Sequence, residues 1–118
     1  MSFDPVKKID KPWGYELWWA VTDKYVGKIL SIDKGHKLSL QYHEQKDETL
    51  YVQQGELVLE IQDENGEMQS KSFLPGDCVR IKPYTKHRLQ ALKDSKVVEV
   101  STPELEDVVR VDDDYGRA

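Results

Sequence analysis

Cysteine is nearly absent from the sequence, which contains a single one at position 78. One thiol cannot form a disulfide within the chain, so a disulfide-stabilised fold is excluded. Cys78 lies in a short stretch that is predicted to be a β-strand, where a cysteine usually behaves as a small buried hydrophobic residue. We therefore expect an inert, buried thiol and not a nucleophile.

Long apolar runs and an excess of basic residues are also missing. No segment approaches the ~18 consecutive apolar residues of a membrane-spanning helix, and no signal-peptide pattern opens the chain. The 17 Lys and Arg residues are outnumbered by 22 Asp and Glu residues, and the formal net charge is −5. The charge excludes a basic footprint for nucleic acid. With 118 residues, we expect one cytoplasmic domain without nucleic-acid or membrane partners.

A sustained helical period is absent too, apart from a suspected helical turn around Leu105–Val109. Short stretches of strand character recur at roughly 8–12-residue spacing, separated by Gly and Pro turns, which predicts an all-β sandwich or barrel. An arm over Met1–Lys11 precedes the strands, and a solvated acidic run, Asp112–Asp114, follows them. The predicted strands are Trp13–Trp19, Tyr25–Ile32, a strand bearing Gln41 and His43, Glu48–Gln53, Glu56–Gln62, Gln69–Leu74, Cys78–Ile81, His87–Leu92 and Lys96–Thr102.

Potential metal ligands lie at related positions of these strands. Gln41 and His43 share one face because side chains two residues apart on a strand point the same way. Glu48 lies on the inward face of the next strand, where a carboxylate is costly unless a cation compensates it. His87 begins a later strand, whereas His36 has the opposite parity and is predicted on the surface. Two imidazoles, one carboxylate and one amide oxygen are a plausible shell for a divalent metal.

The spacing of these residues resembles the two motifs of the cupin family. The first motif, G-x5-H-x-H-x3,4-E-x6-G, runs from Gly35 to Gly55, with Gln41 in place of its first histidine. The second, G-x5-P-x-G-x2-H-x3-N, runs from residue 76 to residue 91 with His87 in place. The positions of its proline, glycine and asparagine are occupied by Lys82, Tyr84 and Ala91.

One branch of that family, the phosphomannose isomerases, is similar in more detail. Its metal shell has a Gln-x-His pair, as here, and its flanks resemble K-P-W-G-Y-E at residues 11–16 and D-D-Y-G-R at residues 113–117. The resemblance implies a single-domain jelly-roll barrel (a double-stranded β-helix) with a core over about residues 13–102. It also implies one divalent metal, with zinc favoured over iron, manganese or nickel because isomerisation needs a Lewis acid without redox chemistry. The implied ligands are Gln41, His43, Glu48 and His87.

Other site roles follow from the same resemblance or from charge. The serine of Ser-x-Gln-x-His contacts substrate phosphate in the isomerase branch, which points to Ser39. Lys46 matches a residue two before the glutamate in that branch and is a candidate base. Glu99 is a second candidate base. The alternative is that its side chain simply points outward. Further candidate phosphate partners, by charge alone, are Lys37, Lys82 and Arg88.

The favoured function is therefore aldose–ketose isomerisation of a sugar phosphate, with mannose 6-phosphate and fructose 6-phosphate as the favoured pair. A non-catalytic sugar- or metal-binding cupin is the close alternative, because no base is clearly placed. A metal oxygenase is a third possibility, since two histidines and a carboxylate also describe an open iron site. A homodimer is expected as well, because Trp13, Trp18 and Trp19 lie close together near an extended N-terminal arm.

Overall fold

The computed structural model describes residues 1–118 and contains eleven β-strands. It has no helix that could span a membrane. Most of the strands coincide with the predicted strands to within two residues at each end. The strands are β1 (Lys7–Lys11), β2 (Gly14–Val21), β3 (Val26–Ile32), β4 (Leu40–Tyr42), β5 (Glu48–Gln54), β6 (Leu57–Gln62), β7 (Met68–Phe73), β8 (Cys78–Ile81), β9 (His87–Ala91), β10 (Ser95–Ser101) and β11 (Val109–Asp112).

The strands pair in two antiparallel sheets. One sheet has the order β1-β2-β3-β10-β5-β8, and the other has the order β11-β4-β9-β6-β7. From β3 onward the chain passes repeatedly between the sheets, so consecutive strands such as β4 and β5 belong to different layers. This is the double-sheet arrangement of a jelly roll. The predicted all-β jelly-roll fold is confirmed.

Alternating strand positions fill the space between the sheets with apolar side chains. Leu50 and Val52 of β5 face inward and are at most 2% exposed, whereas Tyr51 between them is exposed. Val97 of β10 lies opposite Val52 in the sheet and belongs to the same buried cluster. Complete burial of one such side chain contributes about 1.5–3 kcal/mol to folding.

The same inward rows become charged toward one end of the interior. Two residues before Leu50 the row of β5 begins with Glu48, and two residues after Val97 the row of β10 continues with Glu99. Lys28 of β3 lies directly opposite Glu99. All three charged side chains are buried. The barrel interior is therefore apolar at one end and ionic at the other.

Both ends of the chain are more structured than the sequence indicates. Residues 7–11 of the predicted arm form β1, which pairs with β2 along its whole length. No helix forms around residues 105–109. Strand β11 begins at Val109 and pairs with β4.

The acidic run is solvated only in part, because arginines also contact its carboxylates. Asp112 and Asp114 lie 3.6 and 3.7 Å from the guanidinium of Arg88. Asp113 accepts hydrogen bonds from the guanidinium of Arg117, the shorter at 2.8 Å. Asp112 and Asp114 nevertheless stay exposed, as predicted, and only Asp113 is enclosed by its ion pair.

Cys78 and the tryptophans also differ from expectation. Cys78 is in a strand, as predicted, but its thiol is exposed because it lies opposite the exposed Tyr51 on the outer face of the sheet. Trp13 belongs to the core, and Trp18 donates a hydrogen bond to Glu16 at 2.9 Å. Trp19 is 47% exposed, so it is the one tryptophan of the three with an exposed ring for the expected dimer contact. The homodimer stays a prediction.

Gly55 gives a test of the turn between β5 and β6, which belong to different sheets. Its φ of +102° suits glycine, and an added Cβ would lie 2.6 Å from Cα of Ser95. Gly35 has a similar φ of +87° but open space around it. We expect Gly35→Ala to destabilise the fold by about 1–2 kcal/mol through backbone strain. Gly55→Ala should cost at least about 1 kcal/mol more because of the clash. Equal losses in urea unfolding would contradict this role of Gly55 in the turn.

Candidate metal centre

Three potential metal ligands converge at the ionic end of the barrel. Nε2 of His43 and Nε2 of His87 lie 3.3 and 3.2 Å from the same oxygen, Oε1 of Glu48. Each of the three residues is only 3% exposed, and their ligand atoms lie within 4.8 Å of one another. A single ion placed among these atoms could contact all three.

The ends of three strands bring these residues together. His43 directly follows β4, Glu48 begins β5 and His87 begins β9. Gln41 of β4 lies opposite His87 in the second sheet, and Glu48 projects toward them from the first. The site therefore depends on how the two sheets face each other, as well as on the spacing within the sequence.

Backbone carbonyls determine how the two imidazoles are oriented. Nδ1 of His43 lies 2.5 Å from the carbonyl oxygen of Asp107, and Nδ1 of His87 lies 2.9 Å from that of Thr85. A carbonyl can only accept, so each Nδ1 carries the proton and Nε2 is the ring atom that faces Glu48. Such carbonyl partners are typical of metal-binding histidines.

The donors of this arrangement suit a cation. Two imidazole nitrogens and a carboxylate oxygen face one another in a buried space, and Nε2 of His43 has no hydrogen-bond partner. Burial raises the pKa of Glu48, yet contact with His43, His87 and the Lys46 ammonium holds that pKa well below its usual range. The carboxylate is therefore ionised. Imidazole nitrogens with one carboxylate are a donor set that suits zinc and related divalent metals, so these residues fit the implied metal.

Gln41 lies beside this centre and lines the same cavity. Its Oε1 accepts a hydrogen bond from Oγ of Ser39 at 3.1 Å. An amide oxygen has two lone pairs, so the second remains free for a metal. Gln41 therefore stays a predicted fourth ligand.

The two candidate bases form a buried ionic group with Glu48. Nζ of Lys46 lies 3.2 Å from Oε2 of Glu48 and 3.1 Å from Oε2 of Glu99. Burial raises the pKa of Glu99, and the charge of Glu48 raises it further. Burial lowers the pKa of Lys46, but the charges of Glu99 and Glu48 outweigh this and raise it. Glu99 points inward, which decides between the two orientations that the sequence left open.

Asp107 was not predicted, although it organises the loop between β4 and β5. Its carboxylate accepts hydrogen bonds from the backbone N–H groups of Glu44, Gln45 and Lys46 at 2.7–3.0 Å. Burial raises the pKa of Asp107, but these three donors lower it by more. Because the Asp107 carbonyl also binds His43, one residue supports both a candidate ligand and the loop that carries Lys46.

A cavity of about 120 Å³ opens onto this group. Some charged residues of its lining were not predicted from the sequence, because they come from the two ends of the chain and from β3. They become neighbours only through strand pairing between distant segments. The basic residues of the lining are Lys11, Lys28, Lys46 and Arg110, and the acidic ones are Glu16, Glu48, Glu99 and Asp107.

Four sequence candidates for phosphate binding lie at different places. Ser39 is buried next to Gln41. Lys37 is partly exposed, with Nζ 3.9 Å from Asp114. Lys82 borders a separate surface cleft. Arg88 follows His87 on β9 and therefore points to the opposite face, where Nε donates to the carbonyl of Leu38 at 2.9 Å. The structure brings only Ser39 of these four side chains to the candidate centre.

The altered second motif still forms its turn. Tyr84 stands where the motif has glycine, and it is the one non-glycine residue with positive φ, at 64°. Its N–H donates to the carbonyl of His43 at 2.6 Å. This hydrogen bond ties the turn before His87 to the other histidine of the centre, which offsets the strain of the tyrosine backbone.

The fold and this site define a small barrel of the cupin type with a candidate metal site. The family described as the cupin domain matches residues 28–102. The chain belongs to the cupin domain family. A search of curated proteins gives no match.

Solved structures with the same fold include three that differ in size. KdgF from Halomonas sp. is 24% identical with a TM-score of 0.73, and the match covers 90% of this chain and 97% of that one. Oxalate decarboxylase from Bacillus subtilis is 19% identical with a TM-score of 0.77, covering 94% of this chain and 31% of that one. The capsular polysaccharide assembling protein CapF from Staphylococcus aureus is 18% identical with a TM-score of 0.74, covering 92% and 33%. At these identities the similarity shows the fold alone.

Metal content tests the centre directly. After reconstitution with zinc, elemental analysis should find about one ion per chain in the wild type, and His43→Ala and His87→Ala should lower the affinity by more than about tenfold. His36→Ala is the matched control, because His36 is half-buried against Tyr115, away from the cavity, and its loss should leave metal content unchanged. Full occupancy in both ligand variants would reject the site.

Proposed function

We propose that the chain is a metal-dependent sugar-phosphate isomerase, with mannose 6-phosphate and fructose 6-phosphate as the favoured pair. The observation that carries this proposal is the buried Lys46–Glu99 pair, which lies against the candidate metal ligand Glu48 in one cavity. A metal site that serves only structure or binding does not need a second buried acid beside its ligands. Proton transfer next to a polarised carbonyl does need one.

The chemistry that a divalent metal supplies in such a site is Lewis acidity, which stabilises negative charge on the sugar oxygens when a neighbouring carbon loses a proton. His43, Glu48 and His87 would hold the ion, with Gln41 as the proposed fourth ligand. Zinc is favoured because the reaction needs no redox change.

The residues of the chain itself would move the protons. The Glu99 carboxylate takes the proton from C2 of the open-chain aldose and returns it to C1, which converts the aldehyde into a ketone. The hydroxyl proton of O2 passes to O1 in the same conversion, so no other reactant is consumed. The Lys46 ammonium, within 3.2 Å of both Glu48 and Glu99, keeps the two carboxylates apart and positions Glu99.

A non-catalytic sugar-binding module remains the second candidate, and the size of the cavity favours it. About 120 Å³ is small beside the roughly 300–1,000 Å³ of typical ligand pockets. Much of the charge in that cavity is already neutralised by internal ion pairs. A binding module could use the metal and the charged rim to hold a sugar without transferring a proton.

Isotope exchange separates the two functions. Metal-loaded protein in D₂O should introduce deuterium at C2 of mannose 6-phosphate or C1 of fructose 6-phosphate, which NMR detects. Glu99→Gln should lower the rate by about 10²–10⁴, the usual contribution of a positioned base. Glu64→Gln, in an exposed turn, is the matched control and should react at the wild-type rate. Binding of the sugar phosphate by the wild type without isomerisation or exchange would replace the isomerase with the binding module.

A further inference from the structure

Arg110 differs from the other arginines of the chain because it has no ionic partner. Arg80, Arg88 and Arg117 each lie within 2.6–3.6 Å of an aspartate carboxylate. Nε of Arg110 is buried and has no hydrogen-bond partner. A buried donor left without a partner is destabilising. A ligand that supplies the missing acceptor would remove this destabilisation.

Strand pairing places Arg110 beside the candidate metal centre. Arg110 of β11 lies opposite Gln41 of β4, which in turn lies opposite His87 of β9. Residues directly opposite in a sheet share a face, and Arg110 lines the same cavity as Gln41, His43 and Glu48. Two strand spacings separate the Cα atoms of Arg110 and His87 by roughly 10 Å. A hexose phosphate can bridge the gap between such side chains.

Lys11 supplies a second cation at this mouth. Its Nζ lies 3.7 Å from Glu16, a long contact. Glu16 is already bound more closely by Lys28, at 3.2 Å, and by the indole N–H of Trp18, at 2.9 Å. Lys11 and Arg110 also share a smaller adjoining cavity. The carboxylate at the mouth is therefore satisfied, and these two cations remain available.

The charge of the whole cavity agrees with an anionic ligand. Its lining contains four basic and four acidic side chains, so it is neutral overall until a metal binds. A divalent ion would leave a net charge of +2 around the space. A phosphate monoester carries about −1.5 to −2 at pH 7 and would balance it.

We propose that Arg110 and Lys11 bind the phosphate group of a phosphorylated sugar whose carbonyl end lies at the metal centre. This assignment rests on the proposed function and names the group that recognises its substrate. It also replaces Lys37, Lys82 and Arg88 as phosphate partners, because their side chains lie away from the cavity mouth or are bound elsewhere. A planar guanidinium matches two phosphate oxygens at once, and the lysine adds a point charge.

Calorimetric titration of zinc-loaded protein tests the assignment without turnover. Mannose 6-phosphate should bind Arg110→Gln at least about tenfold more weakly than the wild type, or about 1.4 kcal/mol. Arg110→Lys keeps the charge and should recover part of the affinity. Arg80→Gln, which removes an exposed ion pair with Asp47, should bind as the wild type does. Circular dichroism confirms that each variant is folded.

The outcomes distinguish this site from the reaction. Equal affinity for mannose 6-phosphate in Arg110→Gln and the wild type would overturn the phosphate site, even if the wild type is an active isomerase. Arg110-dependent binding of glucuronate but not of mannose 6-phosphate would show a carboxylate site and overturn the phosphate assignment. Arg110-dependent binding of mannose 6-phosphate by a protein that isomerises no sugar would support the site and reject only the isomerase.

Discussion

The burial of one carboxylate, that of Glu48, is the constraint on which the site depends. A lone carboxylate in a space that excludes water would be strongly destabilising. Here two imidazoles face one of its oxygens, and the Lys46 ammonium lies 3.2 Å from the other. A bound metal would complete this compensation on the imidazole side. The second acid, Glu99, is tolerated in the same space because Lys46 contacts both carboxylates.

The jelly roll makes this arrangement possible by separating the apolar and ionic parts of one interior. Leu50, Val52 and Val97 supply the packing energy, and the charged residues occupy the same inward rows toward the open end. The C-terminal segment then closes that end. Its residue Asp107 holds the loop between β4 and β5, and Arg110 brings a cation next to Gln41. The apolar residues that stabilise the fold and the charged residues of the candidate site therefore occupy different parts of the same strands.

Features that depend on neighbouring residues could be predicted from the sequence, whereas contacts between distant segments could not. Alternation along single strands and the motif spacing predicted the fold, and they brought His43, Glu48 and His87 together as candidates. Local patterns failed where distant segments meet. Asp107 and Arg110 act through partners some sixty residues earlier in the chain, and nothing near them in the sequence indicates this. The contacts of Asp112 and Asp114 with Arg88 could not be predicted for the same reason, since Arg88 is remote in the sequence.

Thermal unfolding of metal-free protein with and without added zinc tests most directly whether this buried group binds a metal. If the two Nε2 atoms and the Glu48 carboxylate form a cation site, a zinc concentration of about 100 times Kd should stabilise the wild type by about 2.7 kcal/mol and raise its Tm. Glu48→Gln removes the charge while keeping the shape, so its Tm should respond far less to zinc. An equal rise in both proteins, or no rise in the wild type, would contradict the central claim that this buried group is built to hold a metal.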